Sequence, residues 1–573
     1  MVSTWLTELR KYIVYFGVAV FTAAGVSQAQ QPPAPLQSAP AAADDLKARV
    51  EAQQKEIDEL KTMIRAGQIK TASAEAADPA KPVDEKEVKK ILDTYLKEKD
   101  EKKKKDDADK AEKANEEGYK VGTDLKMSTR WNPLAGVTFE TPNKDFTAHI
   151  GYRFQLDNVY WTQNDNLRRS APAGIGDLQD GAFFRRSRPS FDGTAWEVVE
   201  FNAELALEQV QDSVPNFDEL YVGVTKLPFI GSVRVGHIKT PQGFEGDVSS
   251  SSKAMTFLER AAYTDAFYEN FATGIWASNN YLDQRVTWEA AVYRQDNQRT
   301  NSAADFGDGS YGYTGRATAL PLYECEGRHL LHLGVSGTFR DNEVSDTPPG
   351  AGIVGGRVAD FRARPEMRDG IGDFGNSLAG TTTVLPGNVK RLVDTGTFNS
   401  TSTSIVGTEL FYVLGPFSLQ TEYAWTRANN SFTRLANGND GKSLGDPVFS
   451  GGYIELSYFL TGENRTYDKR LGRLGSTYIA SPFTPFFGVR GEDGHLAFGT
   501  GAWEIAARYS HLDLNSGALR GGKEDGVTLG VNWYLNTNLK MQFDYLHNDR
   551  FDLAPGAFTG NVDGFGIRTQ FFF

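Results

Sequence analysis

The sequence predicts an all-β fold: an antiparallel transmembrane β-barrel, with about sixteen strands and an N-terminal coiled-coil or helical extension. Three features point to it. The first is the closing segment, 562–573, in which Phe565, Ile567, Thr569, Phe571 and Phe573 share one face while Gly564, Gly566, Arg568, Gln570 and Phe572 share the other. A period of two with one greasy and one polar face describes a strand with different solvents on its two sides. The second is composition. Glycine is abundant (58) and aromatics reach 12%, as tight turns and interfacial girdles require. Mean hydropathy is -0.44 and 24% of residues are charged, which excludes a helical membrane bundle. The third is recurrence: alternating segments separated by turn residues continue from residue 121 onward.

Taken in order, residues 1–29 read as an export signal. Arg10 and Lys11 precede an apolar run over 12–24, and Ser27, Gln28 and Ala29 offer a small-residue cleavage site. Residues 30–43 form a Pro/Ala-rich linker that cannot build a core. A short coiled coil is predicted over 44–66, with Val50, Ile57 and Ile64 at a positions and Leu46, Gln53 and Leu60 at d positions. Such a seam implies self-association; an amphipathic helix lying on another surface is the alternative. Residues 67–120 combine a second Ala/Pro linker with a charged spacer helix, including Lys102, Lys103, Lys104 and Lys105, best read as a solvated face. The barrel domain is then 121–573.

The basic residues change character at that boundary. Residues 1–120 hold 18 Lys and 3 Arg, whereas 121–573 hold 10 Lys and 30 Arg. Lysine suits a solvated spacer; arginine suits a confined lumen where a planar fork grips oxyanions. Many of the 30 must also serve ordinary rim and loop ion pairs.

Within the barrel domain Phe146, Ala148, Ile150, Tyr152, Phe154 and Leu156 oppose Thr147, His149, Gly151, Arg153, Gln155 and Asp157. Val199, Phe201, Ala203, Leu205 and Leu207 alternate with Glu200, Asn202, Glu204, Ala206 and Glu208. The segments 527–535 and 539–545 read as a hairpin around 536–538. Arg153 and Arg568 are expected to face the lumen, because an arginine toward lipid costs about 2–4 kcal/mol at the midplane. Spread over sixteen strands, the 453 residues give about 28 per strand and connection; fourteen or eighteen strands fit almost as well.

The remaining classes are narrowed by what the chain lacks. A net charge of -13 argues against a nucleic-acid partner without forbidding an anion path, since lumen charge and total charge are separate quantities. The one cysteine, Cys325, rules out an intramolecular disulfide. There is no G-x-S-x-G, no phosphate-binding loop and no H-E-x-x-H, so no enzyme, metal or cofactor is predicted. The stretch 437–442 lacks the acid spacing of a calcium loop.

Several segments resemble the phosphate-selective porin O and P family: FFRRSRPSFDGTAWEVVEFNAELALEQ (183–209), DELYVGVTKLPFIGSVRVGHIKTPQGFE (218–245), SSKAMTFLERA (251–261), FRARPE (361–366), YFLTGENRTYD (458–468), WEIAARYSHLDL (503–514) and GVTLGVNWYLNTNLKMQFDY (526–545). The resemblance covers about 180–573. It implies a homotrimeric sixteen-strand barrel in outer-membrane lipid, a third outer loop folded into the lumen, and an anion path lined by arginine and lysine. Carried over residue by residue, the path residues are Arg185, Arg186, Lys253, Arg260, Arg362 and Arg364. Arg185 and Arg186 can both face the lumen only where their strand is irregular. The i, i+2 spacing of Arg362 and Arg364 would put both on one side of an extended segment, but two residues upstream stands the acid Asp360. Glu259 is a candidate counter-ion for Arg260. The function expected is passive diffusion of small anions, inorganic phosphate foremost or polyphosphate. The alternatives are a general porin, or an anchor whose periplasmic N-terminal extension ties the outer membrane to the cell wall.

Overall fold

The computed structural model describes residues 121–132, 136–211, 214–250, 253–294, 310–344, 357–368, 390–435, 438–475, 485–487, 489–490 and 494–573. The expected signal, linkers, coiled coil and spacer lie outside these residues. Sixteen long strands form the barrel: β1 (Thr147–Gln163), β2 (Gly181–Ala195), β3 (Val199–Gln211), β4 (Val214–Leu227), β5 (Gly231–Lys239), β6 (Phe271–Tyr281), β7 (Val286–Arg294) and β8 (Tyr311–Glu324). The second half comprises β9 (His329–Asp341), β10 (Phe398–Leu414), β11 (Phe417–Arg434), β12 (Val448–Phe459), β13 (Ala502–Ser516), β14 (Leu519–Tyr534), β15 (Leu539–Phe551) and β16 (Gly560–Phe572).

Each strand pairs antiparallel with the next, and β16 pairs back onto β1 from Val562↔Gln163 to Phe572↔Arg153. The ring is closed. Closure matters because lipid cannot satisfy the backbone groups of an open edge. No described helix is long and apolar enough to cross a membrane; the crossing is made by strands. Turns at one end are short, as at 196–198, 228–230, 415–416 and 535–538, while the other end carries 164–180, 240–270 and 342–397. By the asymmetry of such barrels the short turns face the periplasm.

Side-chain alternation follows the two solvents. On β16, Gly564, Gly566, Arg568, Gln570 and Phe572 are buried inward, while Phe565 and Phe571 are exposed outward. Val222, Ile275, Val335, Val406, Ile454 and Leu529 extend the outward apolar band around the wall. Near the short-turn end Trp503 and Trp533 stack at 5.0 Å across β13 and β14, where an interfacial girdle belongs.

The seam between β16 and β1 has an addition. A hairpin of Ser128–Asn132 and Gly136–Glu140 pairs its second strand with β1 from Val137↔Ile150 to Glu140↔Thr147, below the point where β16 ends. Phe573 exchanges backbone hydrogen bonds with Tyr152, and the Trp131 ring lies 4.9 Å from the Phe573 ring. The hairpin thus continues the wall where the last strand runs out.

Val406 lies near the middle of β10, half exposed on the outer face. Val406→Arg is expected to destabilise the barrel by about 2–4 kcal/mol, measured by urea titration of folding into phosphatidylcholine vesicles; no change would contradict the lipid-facing assignment.

Candidate functional site

Among the described residues, parts of three connections enter the barrel to build the candidate site. The first, 240–270, leaves β5, makes a turn of π-helix at Gly243–Val248, reaches a tip at Phe257, Leu258 and Glu259, and returns through a short helix, α1 (Ala262–Phe267). The tip fits because the facing wall positions are glycines. A Cβ on Gly530 would come within 2.9 Å of the Phe257 ring, and one on Gly566 within 2.7 Å of Leu258.

Inward side chains of the wall bond to backbone groups of the loop at several points along its irregular stretches. Glu422 accepts from Phe244 N at 2.6 Å and Glu245 N at 2.8 Å. Asp544 accepts from Leu258 N at 2.7 Å. On the carbonyl side, Lys540 donates to Met255 O at 3.0 Å, Asn532 and Gln542 each to Thr256 O at 2.9 Å, Arg568 to Leu258 O at 2.6 Å and Arg508 to Glu259 O at 3.0 Å.

The second inward segment combines 357–368 with 390–395. Phe361, Ala363 and Val393 pack with Tyr263 and Phe267 of α1 in one apolar cluster. Glu366 accepts from Ala262 N at 2.9 Å and pairs with Arg508 at 2.7 Å. The third enters from the short-turn end, after β12. Arg465 donates to Ala254 O and to Thr256 Oγ1, both at 2.6 Å, and Leu474 joins Phe244 and Met255 in a second apolar cluster.

The sequence-predicted residues fall as follows. Arg185 and Arg186 are both buried inside the barrel. The register of β1 and β2 shifts between Gln155↔Arg186 and Leu156↔Phe184, so Arg185 is an extra residue in a bulge. That is the irregularity their adjacency required. Arg185 binds Glu259 through two hydrogen bonds, Nε–Oε1 2.6 Å and Nη2–Oε2 3.1 Å. Arg186 donates to the neutral Gln155 Oε1 at 2.6 Å, and its Nε has no hydrogen-bond partner among the described residues. Lys253 lies toward the periplasmic end, its Nζ 5.0 Å from the Phe572 ring. Burial, with help from Arg153, pushes the Lys253 ammonium down to about 8, which leaves it cationic at pH 7. Arg260 donates to Asn270 at 2.9 Å. Glu259 turns away along the chain, toward Arg185, Arg368 (3.4 Å) and Arg568 (3.3 Å). Burial raises the Glu259 carboxyl, but Arg185 and Arg368 outweigh it and hold the group well below the usual carboxylate range.

Arg362 and Arg364 do not form a bare ladder. Arg362 pairs with Asp360 at 3.4 Å, and Arg364 pairs with Asp265 of α1 at 2.7 Å. Arg391 reaches the same Asp265 at 2.8 Å. For Arg364 and Arg391 burial explains it: cations tucked under a docked loop are stable there only with counter-charges.

Three basic groups were missed. Arg368 and Arg391 lie in an aperiodic loop and left no sequence signal. Arg550 could have been found, because it continues the inward series Lys540, Gln542, Asp544, Leu546 and Asn548 on β15. Arg550 stands opposite Gly560 at the outer end, Arg568 lies eight residues further down β16, and Phe572 four more. Basic groups are therefore spread over roughly 40 Å of strand. Among the described residues no cluster of His, Cys, Asp or Glu is placed to hold a metal ion.

A closed sixteen-strand barrel with a lipid-facing exterior and a loop-narrowed charged interior is the architecture of an outer-membrane porin. The chain belongs to the phosphate-selective porin O and P family, whose model matches residues 162–573. It is 28% identical to porin O of Pseudomonas aeruginosa over 476 residues, 79% of this chain and 93% of that protein. It is 29% identical to an uncharacterized protein of Caulobacter vibrioides over 382 residues, 65% of this chain and 64% of the other. Among solved structures, it is similar to an anion-selective porin from Comamonas acidovorans (TM-score 0.42, 13% identity, 75% of this chain and 100% of that one) and to the outer membrane channel DcaP of Acinetobacter baumannii (TM-score 0.40, 8% identity, 75% and 97%).

Glu422 holds two loop amides and the Tyr453 hydroxyl. Bonds of this kind are worth about 1.5–3 kcal/mol each. Glu422→Ala is expected to leave the barrel folded but loosen the loop, seen as open-channel flicker in single-channel recordings; a quiet trace would contradict the anchoring role.

Proposed function

We propose that this porin is a passive diffusion channel for small oxyanions, with inorganic phosphate foremost and polyphosphate in the same class. One observation carries the reading. Where the loop tip meets the wall, four guanidiniums gather: Arg185, Arg186, Arg368 and Arg568. Two carboxylates answer them. Glu259 contacts Arg185, Arg368 and Arg568, and Asp157 binds Arg568 through two bonds of 2.7 Å. Arg188, next along, is committed to Glu208 at 2.6 Å and to Asp218. Arg186 is buried and feels Arg185, Arg188 and Arg568 as like charges against Glu259 as an opposite one, and its one hydrogen bond among the described residues goes to a neutral amide. A buried guanidinium in that position gains from an arriving anion, and a planar fork suits phosphate oxygens.

Lys253 below and Arg550 above give the path further stations, each attractive enough to admit an anion and weak enough to release it. The description of the family to which the chain belongs supports the same class of cargo. Assembly as a homotrimer, which the family resemblance implies, and a periplasmic N-terminal extension able to reach the cell wall belong to this proposal.

The test is the reversal potential of single channels in a planar bilayer under a salt gradient, with phosphate titrated against chloride conductance. Anion selectivity with saturable phosphate block is expected. Arg186→Gln should lower the selectivity and raise the half-blocking phosphate concentration about tenfold, the weight of one charge-assisted bond. Cation selectivity in the unaltered channel, or chloride conductance indifferent to phosphate, would overturn the reading.

A further inference from the structure

We propose that the Glu259 side chain is a tethered anion: its carboxylate occupies the lumen's anion position, and a permeating oxyanion passes by displacing it. The proposal rests on the anion-channel reading above.

Three guanidiniums on three separate elements converge on this one carboxylate. Arg185 comes from the β2 bulge, Arg568 from β16 and Arg368 from the second inward segment. An arginine fork does not distinguish strongly between a carboxylate and a phosphate edge. A site that holds Glu259 is therefore a site that would hold a free oxyanion. The grip is uneven. Arg185 is close at 2.6 Å, whereas Arg568 and Arg368 are at 3.3 and 3.4 Å, and Arg568 is already neutralised by Asp157. The Glu259 side chain is also 14% exposed, against 3% for Asp157 and 0% for Glu366. It is the carboxylate of this group that something in the lumen can reach.

The backbone beneath it does not need to move. Leu258 N is held by Asp544, Leu258 O by Arg568 and Glu259 O by Arg508. The tip is pinned on both sides of the residue while the carboxylate hangs from three side-chain torsions. Rotation about these torsions exchanges the two Arg185 bonds for bonds from Arg185 to the arriving oxyanion. Displacement can then occur without opening the loop. A built-in competitor weakens the arginine cluster for phosphate, and that weakening lets the cluster release what it binds.

Glu259→Gln keeps the shape and one acceptor but removes the charge. In planar bilayers, this variant is expected to lower the half-blocking phosphate concentration about tenfold and to lengthen the blocked dwell time. An unchanged block, in a setting where the unaltered channel is anion-selective and phosphate-blocked, overturns the tethered anion and leaves the channel reading intact. An unaltered channel that phosphate does not block removes the channel reading itself. Folding is read separately from heat-modifiable migration on a gel. Failure of Glu259→Gln to form a folded barrel makes Glu259 a structural hub and overturns displacement.

Discussion

An irregular chain segment at membrane depth must have its backbone groups hydrogen-bonded by protein or by lumen water, and the interior of this barrel is arranged around that requirement. The segment 240–270 cannot pair its amides and carbonyls with one another as a strand or long helix would. The wall does it instead, with a consistent division of charge. Carboxylates of Glu422, Asp544 and Glu366 receive the amides of Phe244, Glu245, Leu258 and Ala262. Lys540, Arg465, Arg568 and Arg508 serve the carbonyls of Met255, Ala254, Leu258 and Glu259. Acids go where protons are offered and cations go where lone pairs are offered. The loop's path is therefore fixed by seven side chains on four strands and two inward segments, not by its own propensity.

This arrangement separates two uses of lumen arginine. Arg508 is fully committed: it has Glu366 on one side, a loop carbonyl on another and the Phe257 ring 4.7 Å from its guanidinium carbon. Arg316 is equally committed to Glu409. Removing one partner of such a buried pair strands the other, at about 3–5 kcal/mol, so these residues are held in place by the fold. Arg186 differs because its described hydrogen-bond partner is uncharged. The number of arginines in the lumen is thus a poor guide to anion affinity. On the reading proposed above, the surplus of guanidiniums over carboxylates at one height sets it.

The wall was legible in the sequence because lipid and lumen impose a strict period of two. Alternation alone put Arg153 and Arg568 inside, and the hairpin around 536–538 stands where β14 and β15 meet. The adjacency of Arg185 and Arg186 announced an irregular strand, and the bulge is there. The interior was much less legible. Asp265 holds Arg364 from 99 positions away and Arg391 from 126, and no local pattern encodes such a contact. Glu259 beside Arg260 invited a neighbour pairing, whereas the extended chain turns the acid toward the opposite wall. Entry of 460–475 from the short-turn end has no periodicity to betray it. The positions of the path residues came from family resemblance, and the partners that qualify them came only from the fold.

The glycines of the inward face bind these two levels together. Gly530 and Gly566 look like weak strand residues, since they bury no side chain and add entropy to the unfolded chain. They are the positions at which Phe257 and Leu258 touch the wall, at distances a Cβ could not share. Their smallness sets how far the tip advances, and the tip's advance sets where Glu259 meets Arg185 and Arg568. A methyl at either site would make the Phe257 or Leu258 side chain give way. The charge balance of the constriction is therefore a consequence of packing: the apolar contact between tip and wall fixes the geometry within which the ionic groups find their partners.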